Sequence, residues 1–97
     1  MNRDEVIDRL NQNRSHLSER YGVKSLALFG SVVRNEATSA SDVDILVEFD
    51  RPVGLFGLFA LQDYLEVLLD SPVDLGTPDS LKLRIRNRVL QEMVYVE

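Results

Sequence analysis

The chain has 97 residues, 44% hydrophobic and 28% charged, with five Gly and three Pro: the composition of an ordinary soluble globular chain, long enough for one domain and one modest core. Cysteine is absent and His16 is the single histidine, which excludes a disulfide framework, a thiolate metal site, a cysteine nucleophile and a multi-histidine centre. No apolar run approaches the ~20 residues of a membrane span, the N-terminus has no signal-peptide layout, and sixteen acids against eleven bases give a formal charge of −5 that disfavours a grip on a nucleic-acid backbone. A cytoplasmic domain without membrane or direct nucleic-acid contact is expected.

Asn2 followed by Glu5 is a capping-box-like helix start, and Val6, Leu10, Leu17 and Tyr21 recur at helical spacing up to Gly22, which suits the left-handed residue closing a helix. One helix is predicted there. Lys24 to Phe29 (KSLALF) reads as a short strand, and Gly30 to Ser41 as a turn, a short helix over Val32–Glu36 and a loop. Asp42 to Phe49 (DVDILVEF) alternates, with Val43, Ile45, Val47 and Phe49 on one side and Asp42, Asp44, Leu46 and Glu48 on the other.

Pro52 and Gly54 break the chain before a strongly helical stretch, Leu55 to Leu69. Its apolar arc is Leu55, Leu58, Phe59, Leu65, Leu68 and Leu69, with Asp63, Glu66 and Asp70 as the wet stripe. The arc is wide for a small sheet, and its overflow at Leu61 and Tyr64 is expected to be an interface. Pro72 stops this helix, Val73-Asp74-Leu75 is a very short strand, and Thr77-Pro78-Asp79 opens a last helix whose apolar face is Leu81, Ile85 and Val89. Val94-Tyr95-Val96 is an edge strand or packed tail. The predicted class is α/β (α+β): a small mixed sheet of three to four strands with helices packed against it.

Charge is spread unevenly. Between Glu36 and Asp79 stand ten acids and one base, Arg51, whereas Lys82, Arg84, Arg86 and Arg88 crowd seven positions near the C-terminus. Carboxylates followed by a basic helix suit an Mg²⁺–polyphosphate ligand, and equally describe two solvated helix faces of opposite sign. On charge alone the second account is the simpler one.

The chemistry concentrates between Phe29 and Val47. Alternation sends Asp42 and Asp44 to the same side of their strand, where two like charges repel and a cation between them relieves the repulsion. Mg²⁺ takes hard oxygen ligands and is commonly held by one or two carboxylates plus substrate phosphates. Gly30 allows close backbone approach, and Ser31 offers a hydroxyl and an N–H for a phosphate. Asp74, between Val73 and Leu75, belongs at an exposed strand end or at the same metal site, because burying it unpaired is costly. Three carboxylates and a Gly-Ser turn on strand ends would make a two-metal phosphoryl-transfer site.

Gly30-Ser31, ten residues, then Asp42-Val43-Asp44 resembles the G-S-x10-D-x-D signature of the DNA-polymerase-beta-like nucleotidyltransferases, with a third Asp on a later strand. The stretches LFGSVVRNEATSASDVDILVEF, SPVDLGTPDSLK and RIRNRVLQEMVYV are similar to the minimal nucleotidyltransferases, which are commonly encoded beside a HEPN-domain partner as toxin–antitoxin pairs. The resemblance implies the polymerase-beta-like nucleotidyltransferase fold and one minimal nucleotidyltransferase domain over residues 1–97. It implies that Gly30 and Ser31 hold the triphosphate of ATP, that Asp42 and Asp44 ligate two Mg²⁺ ions, and that Asp74 ligates the catalytic ion and helps activate the attacking hydroxyl. It further implies transfer of AMP to a hydroxyl with release of pyrophosphate, the acceptor being a tyrosine of the HEPN-type toxin. Many relatives read Arg-Gly-Glu after the Gly-Ser turn where this chain has Arg34-Asn35-Glu36. Arg34 is open between holding a phosphate and pairing with a nearby acid.

Size bears on mechanism. Larger nucleotidyltransferases use an extra domain to hold the acceptor, so on 97 residues the acceptor is expected on a separate protein or the site is completed by another subunit, a homodimer included. Two other readings stand beside the enzyme: an antitoxin that neutralises its partner by occlusion alone, and a sugar-nucleotide transferase with a D-x-D motif, for which the chain is short and the Gly-Ser spacing has no role.

Overall fold

The computed structural model describes residues 2–30, 33, 42–78 and 83–96. The first helix, α1 (Arg3–Gln12), begins where the sequence places it: the Asn2 side-chain oxygen accepts the Glu5 N–H at 2.9 Å, satisfying one of the orphan donors of the first turn. The predicted single helix is two, because the chain breaks at Asn13 before α2 (Arg14–Tyr21). There the Asn13 amide donates to the Arg9 carbonyl at 2.9 Å and its oxygen accepts the Tyr64 hydroxyl at 3.2 Å. Such side-chain bonds compete with the regular helical ladder. Gly22, at φ +73°, closes α2 in the left-handed conformation that its sequence position suggests.

Strands β1 (Val23–Phe29) and β2 (Val43–Phe49) pair antiparallel, from Val23 opposite Phe49 to Phe29 opposite Asp44. Helix α3 (Leu55–Leu69) returns along the sheet, and β3 (Val73–Gly76) then lies parallel to β2. After α4 (Leu83–Glu92), β4 (Val94–Tyr95) pairs antiparallel with β1. The result is a four-stranded mixed sheet in the order β3-β2-β1-β4. This is the predicted architecture, with Val94-Tyr95 resolved as an edge strand. The short helix predicted over Val32–Glu36 and the opening Asp79 of the last helix lie outside the described residues.

One sheet face carries the core. Leu26 and Leu28 of β1, Val43, Ile45 and Val47 of β2 and Val73 of β3 are buried with Val6, Leu10, Leu17, Leu61, Leu65 and Leu69 of the first three helices. Period 2 in the strands meets an i, i+4 spacing in α3. On the opposite face Ala27 and Leu46 are also buried, beside Pro78, Leu90, Met93 and Tyr95. Leu46, read from alternation as part of the polar side of its strand, therefore belongs to a second, smaller apolar contact.

Helix α3 corrects the predicted arc. Leu61 and Leu65 are fully buried and Tyr64 is half-buried, so Leu61 and Tyr64 are core rather than interface, while Leu55 and Phe59 face solvent. A helix apolar nearly all round does not reveal which third of its surface meets the sheet. Among the described residues, no helix is long and apolar enough to cross a membrane.

Candidate active site

The site forms where β1 ends, β2 begins and β3 begins. Asp44 is the second residue of β2, and its register partners are Phe29 on β1 and Asp74 on β3. In-register neighbours project to the same side of a sheet from strands about 4.8 Å apart. Asp44 and Asp74 therefore share a face, the one opposite the main core. Asp74 is exposed on the edge strand, and Asp44 is half-buried one strand further in. Asp42 directly precedes β2 and is exposed. The site consequently opens to solvent.

Glycine at position 30 has two independent causes. Its φ is +73°, a backbone region costly for residues with a side chain, and a Cβ there would collide with the Asp44 Oδ2. The Asp44 carboxylate occupies the space that a larger residue 30 would need. Gly30 thus acts on the carboxylate as well as on the turn, and the Val33 N–H donates back to the Gly30 carbonyl at 3.2 Å. The guanidinium of Arg3 also reaches this turn, donating to the Val33 carbonyl at 3.2 Å.

The start of β3 is held from two sides. The Val43 N–H donates to the Pro72 carbonyl at 2.8 Å, joining the first residue of β2 to the residue before β3. The Glu66 Oε2 accepts the Val73 N–H at 2.9 Å, across the turn where Asp70 takes φ +50°. The sequence reading assigned Glu66 only to the wet stripe of its helix. A signal existed: a carboxylate in the last turn of a helix opposes the helix dipole, so it needs a local donor. The Glu66 carboxylate thus anchors the backbone one position before Asp74.

Of the six predicted site residues, the structure brings Gly30, Asp44 and Asp74 together and places Asp42 beside them, two positions back along the chain. Ser31 and Arg34 lie outside the described residues, as does Lys82 of the C-terminal basic cluster. Among the described residues, no group of three or more His, Cys, Asp or Glu side chains is gathered closely enough to hold a metal ion. Among the described residues the expected ring of three acids is thus present as a shared sheet end, not as a closed cluster. The donors nonetheless suit Mg²⁺, which needs only one or two carboxylates when substrate phosphates supply further oxygens. The space beside Gly30 is filled by the Asp44 carboxylate, one such oxygen donor.

Comparison with known proteins agrees with this geometry. A family profile described as the nucleotidyltransferase domain matches residues 10–96. Protein adenylyltransferase MntA of Thermococcus cleftensis is 45% identical over 93 residues, spanning 96% of this chain and 94% of its own. The solved structure of a provisionally assigned minimal nucleotidyltransferase superposes with a TM-score of 0.81 at 35% identity, covering 97% of this chain and 95% of its own. A solved toxin–antitoxin with AMP-PNP superposes with a TM-score of 0.70 over all of this chain and 73% of its own; at 24% identity the likeness is one of fold. With the profile spanning all four strands and every acid of the site, the chain belongs to the nucleotidyltransferase domain family.

Proposed function

We propose that residues 1–97 form a single minimal nucleotidyltransferase domain that transfers AMP from ATP to a tyrosine hydroxyl of a HEPN-type toxin, silencing it as an antitoxin. The observation that carries this reading is the pairing of Asp44 with Asp74 beside a glycine that leaves room for the Asp44 carboxylate. A protein acceptor suits a site open at the end of a sheet and a chain of net charge −5, which repels free RNA. The MntA relative named above, a protein adenylyltransferase similar over nearly its full length, supports the same chemistry. The cytoplasm, where ATP and Mg²⁺ are abundant, is the compartment this reading requires.

In the proposed reaction Asp42, Asp44 and Asp74 would hold two Mg²⁺ ions, which when bound would supply charge neutralisation for the polyphosphate. Gly30 and Ser31 seat the triphosphate through backbone N–H groups and the serine hydroxyl, and Arg34 pairs with a phosphate oxygen. Asp74, exposed on the edge strand, orients the acceptor hydroxyl and receives its proton. The hydroxyl oxygen bonds to the α-phosphorus as the bond from that phosphorus to the bridging oxygen breaks, and pyrophosphate leaves.

The test is to incubate the chain with Mg²⁺, ATP and the protein encoded beside its gene, and to weigh that protein by mass spectrometry. A gain of one or more AMP units is the expected result. An unchanged mass within a stable complex would instead establish neutralisation by occlusion.

A further inference from the structure

Among the described residues, the core leaves one face of α3 without a partner. Leu61, Leu65 and Leu69 point into the sheet, so the opposite ridge carries Leu55, Phe56, Phe59, Ala60, Asp63, Val67 and the capping Asp70. Phe56 is 91% exposed, Val67 83%, Leu55 69% and Phe59 54%. These side chains lie at helical spacing on the outward side of the helix, with Asp63 set between Phe59 and Val67. The ridge carries two acids, Asp63 within the helix and the capping Asp70, and the helix has no Lys or Arg in its whole length. Arg20 and Arg51 stand near its start, beside Gly57 and Ala60 on the flank.

Charge selects the occupant. In a two-fold pairing of two copies through this face, residue i meets residue j and j meets i, and the residues at the axis, midway along the ridge, meet their own counterparts. Asp63, at the middle of the ridge, would then face a second Asp63 in a desolvated contact, which is costly. A different protein can place a cation there. We infer that α3 docks the acceptor protein through an amphipathic helix of that partner, its apolar residues set against Phe56, Phe59 and Val67 and its Lys or Arg set opposite Asp63 and Asp70. The inference rests on the adenylyltransferase reading for the existence of the acceptor, and adds where it is held. It also accounts for reach: Asp70 ends α3 four residues before Asp74, and β3 is the edge strand, so a protein lying along α3 continues around that edge to the acids.

The experiment measures binding between the purified chain and the protein encoded beside its gene, by calorimetry and analytical ultracentrifugation, for wild type, Phe56→Ala/Val67→Ala, Asp63→Lys and Asp44→Asn. The ridge residues are exposed and Asp44→Asn is a near-isosteric change outside the core, so retained circular dichroism is expected in every variant. Docking through α3 predicts affinity losses of about tenfold or more for the double variant and for Asp63→Lys, with Asp44→Asn binding like wild type although it transfers no AMP. Wild-type affinity in both ridge variants would overturn the docking surface while leaving the transfer reaction standing. A wild-type dimer of the chain alone that the ridge variants convert to monomer would overturn it in favour of a second copy. A wild-type chain that binds no neighbour at all would remove the acceptor, and with it both readings.

Discussion

Asp44 and Asp74 are register partners across the parallel β2–β3 pair, so two carboxylates thirty positions apart in the chain stand side by side on one sheet face. Like charges directly opposite one another cost stability, and Asp74 is exposed outside the core. Substituting Asp74→Asn is therefore expected to leave the metal-free chain as stable as wild type or raise its melting midpoint slightly, while AMP transfer falls by about a hundredfold or more, beyond the loss typical of a residue that only supports a metal ligand. Thermal melts in EDTA beside transfer assays in Mg²⁺ separate the two effects. Addition of EDTA to wild type should stop transfer and leave far-UV circular dichroism unchanged.

Two glycines with the same backbone conformation should behave differently. Gly30 and Gly22 both sit at φ +73°, and alanine at either costs about 1–2 kcal/mol for the left-handed conformation. At Gly30 the added Cβ meets the Asp44 carboxylate, at the sheet end where the proposed chemistry takes place; at Gly22 it meets the Arg51 Nε at 2.8 Å, near the far end of a flexible side chain. Gly30→Ala is expected to lose both stability and transfer, and Gly22→Ala stability alone. Urea denaturation paired with the transfer rate checks this, and equal retention of activity in both variants would contradict the role given to Gly30.

Glu66 gives a third test. Glu66→Ala leaves the Val73 N–H, at a buried position, without its carboxylate acceptor, a loss of about 1–3 kcal/mol. Because Val73 precedes Asp74, transfer should fall as well. Glu66→Gln keeps an oxygen in place and should restore most of both. A positioning role requires that rescue; a purely electrostatic one forbids it.

Helix α3 separates burial from composition. Leu65→Ala removes a fully buried side chain and should cost about 2–5 kcal/mol, a large share of the stability of a domain this size. Phe56→Ala, on the solvent side of the same helix, should change stability by less than about 0.5 kcal/mol. Chemical denaturation of the two variants measures the contrast directly.

Much of this was legible from local chemistry. The Asn2 cap, the Gly22 stop, the extent of α3 and the alternation of β2 follow from donors, φ preferences and side-chain periodicity, all of which act over a few residues. The pairing of a Gly-Ser turn with a D-x-D strand start is likewise visible, because sequence spacing records it. The break at Asn13 was not, since one of its hydrogen bonds comes from Tyr64, fifty-one positions away. Nor was the outward face of α3, because an all-round apolar helix carries no periodic signal to orient it, and only the sheet it packs against makes the choice.

The residue types, their order and the chemistry they can perform thus belong to the sequence by itself, since caps, turns and oxygen donors are properties of short segments. Which acids become neighbours was decided only by tertiary structure: a parallel register between β2 and β3 sets Asp74 beside Asp44, and register is fixed by burial of the opposite strand faces, since a slip of one residue would turn Val43, Ile45 and Val73 out of the core.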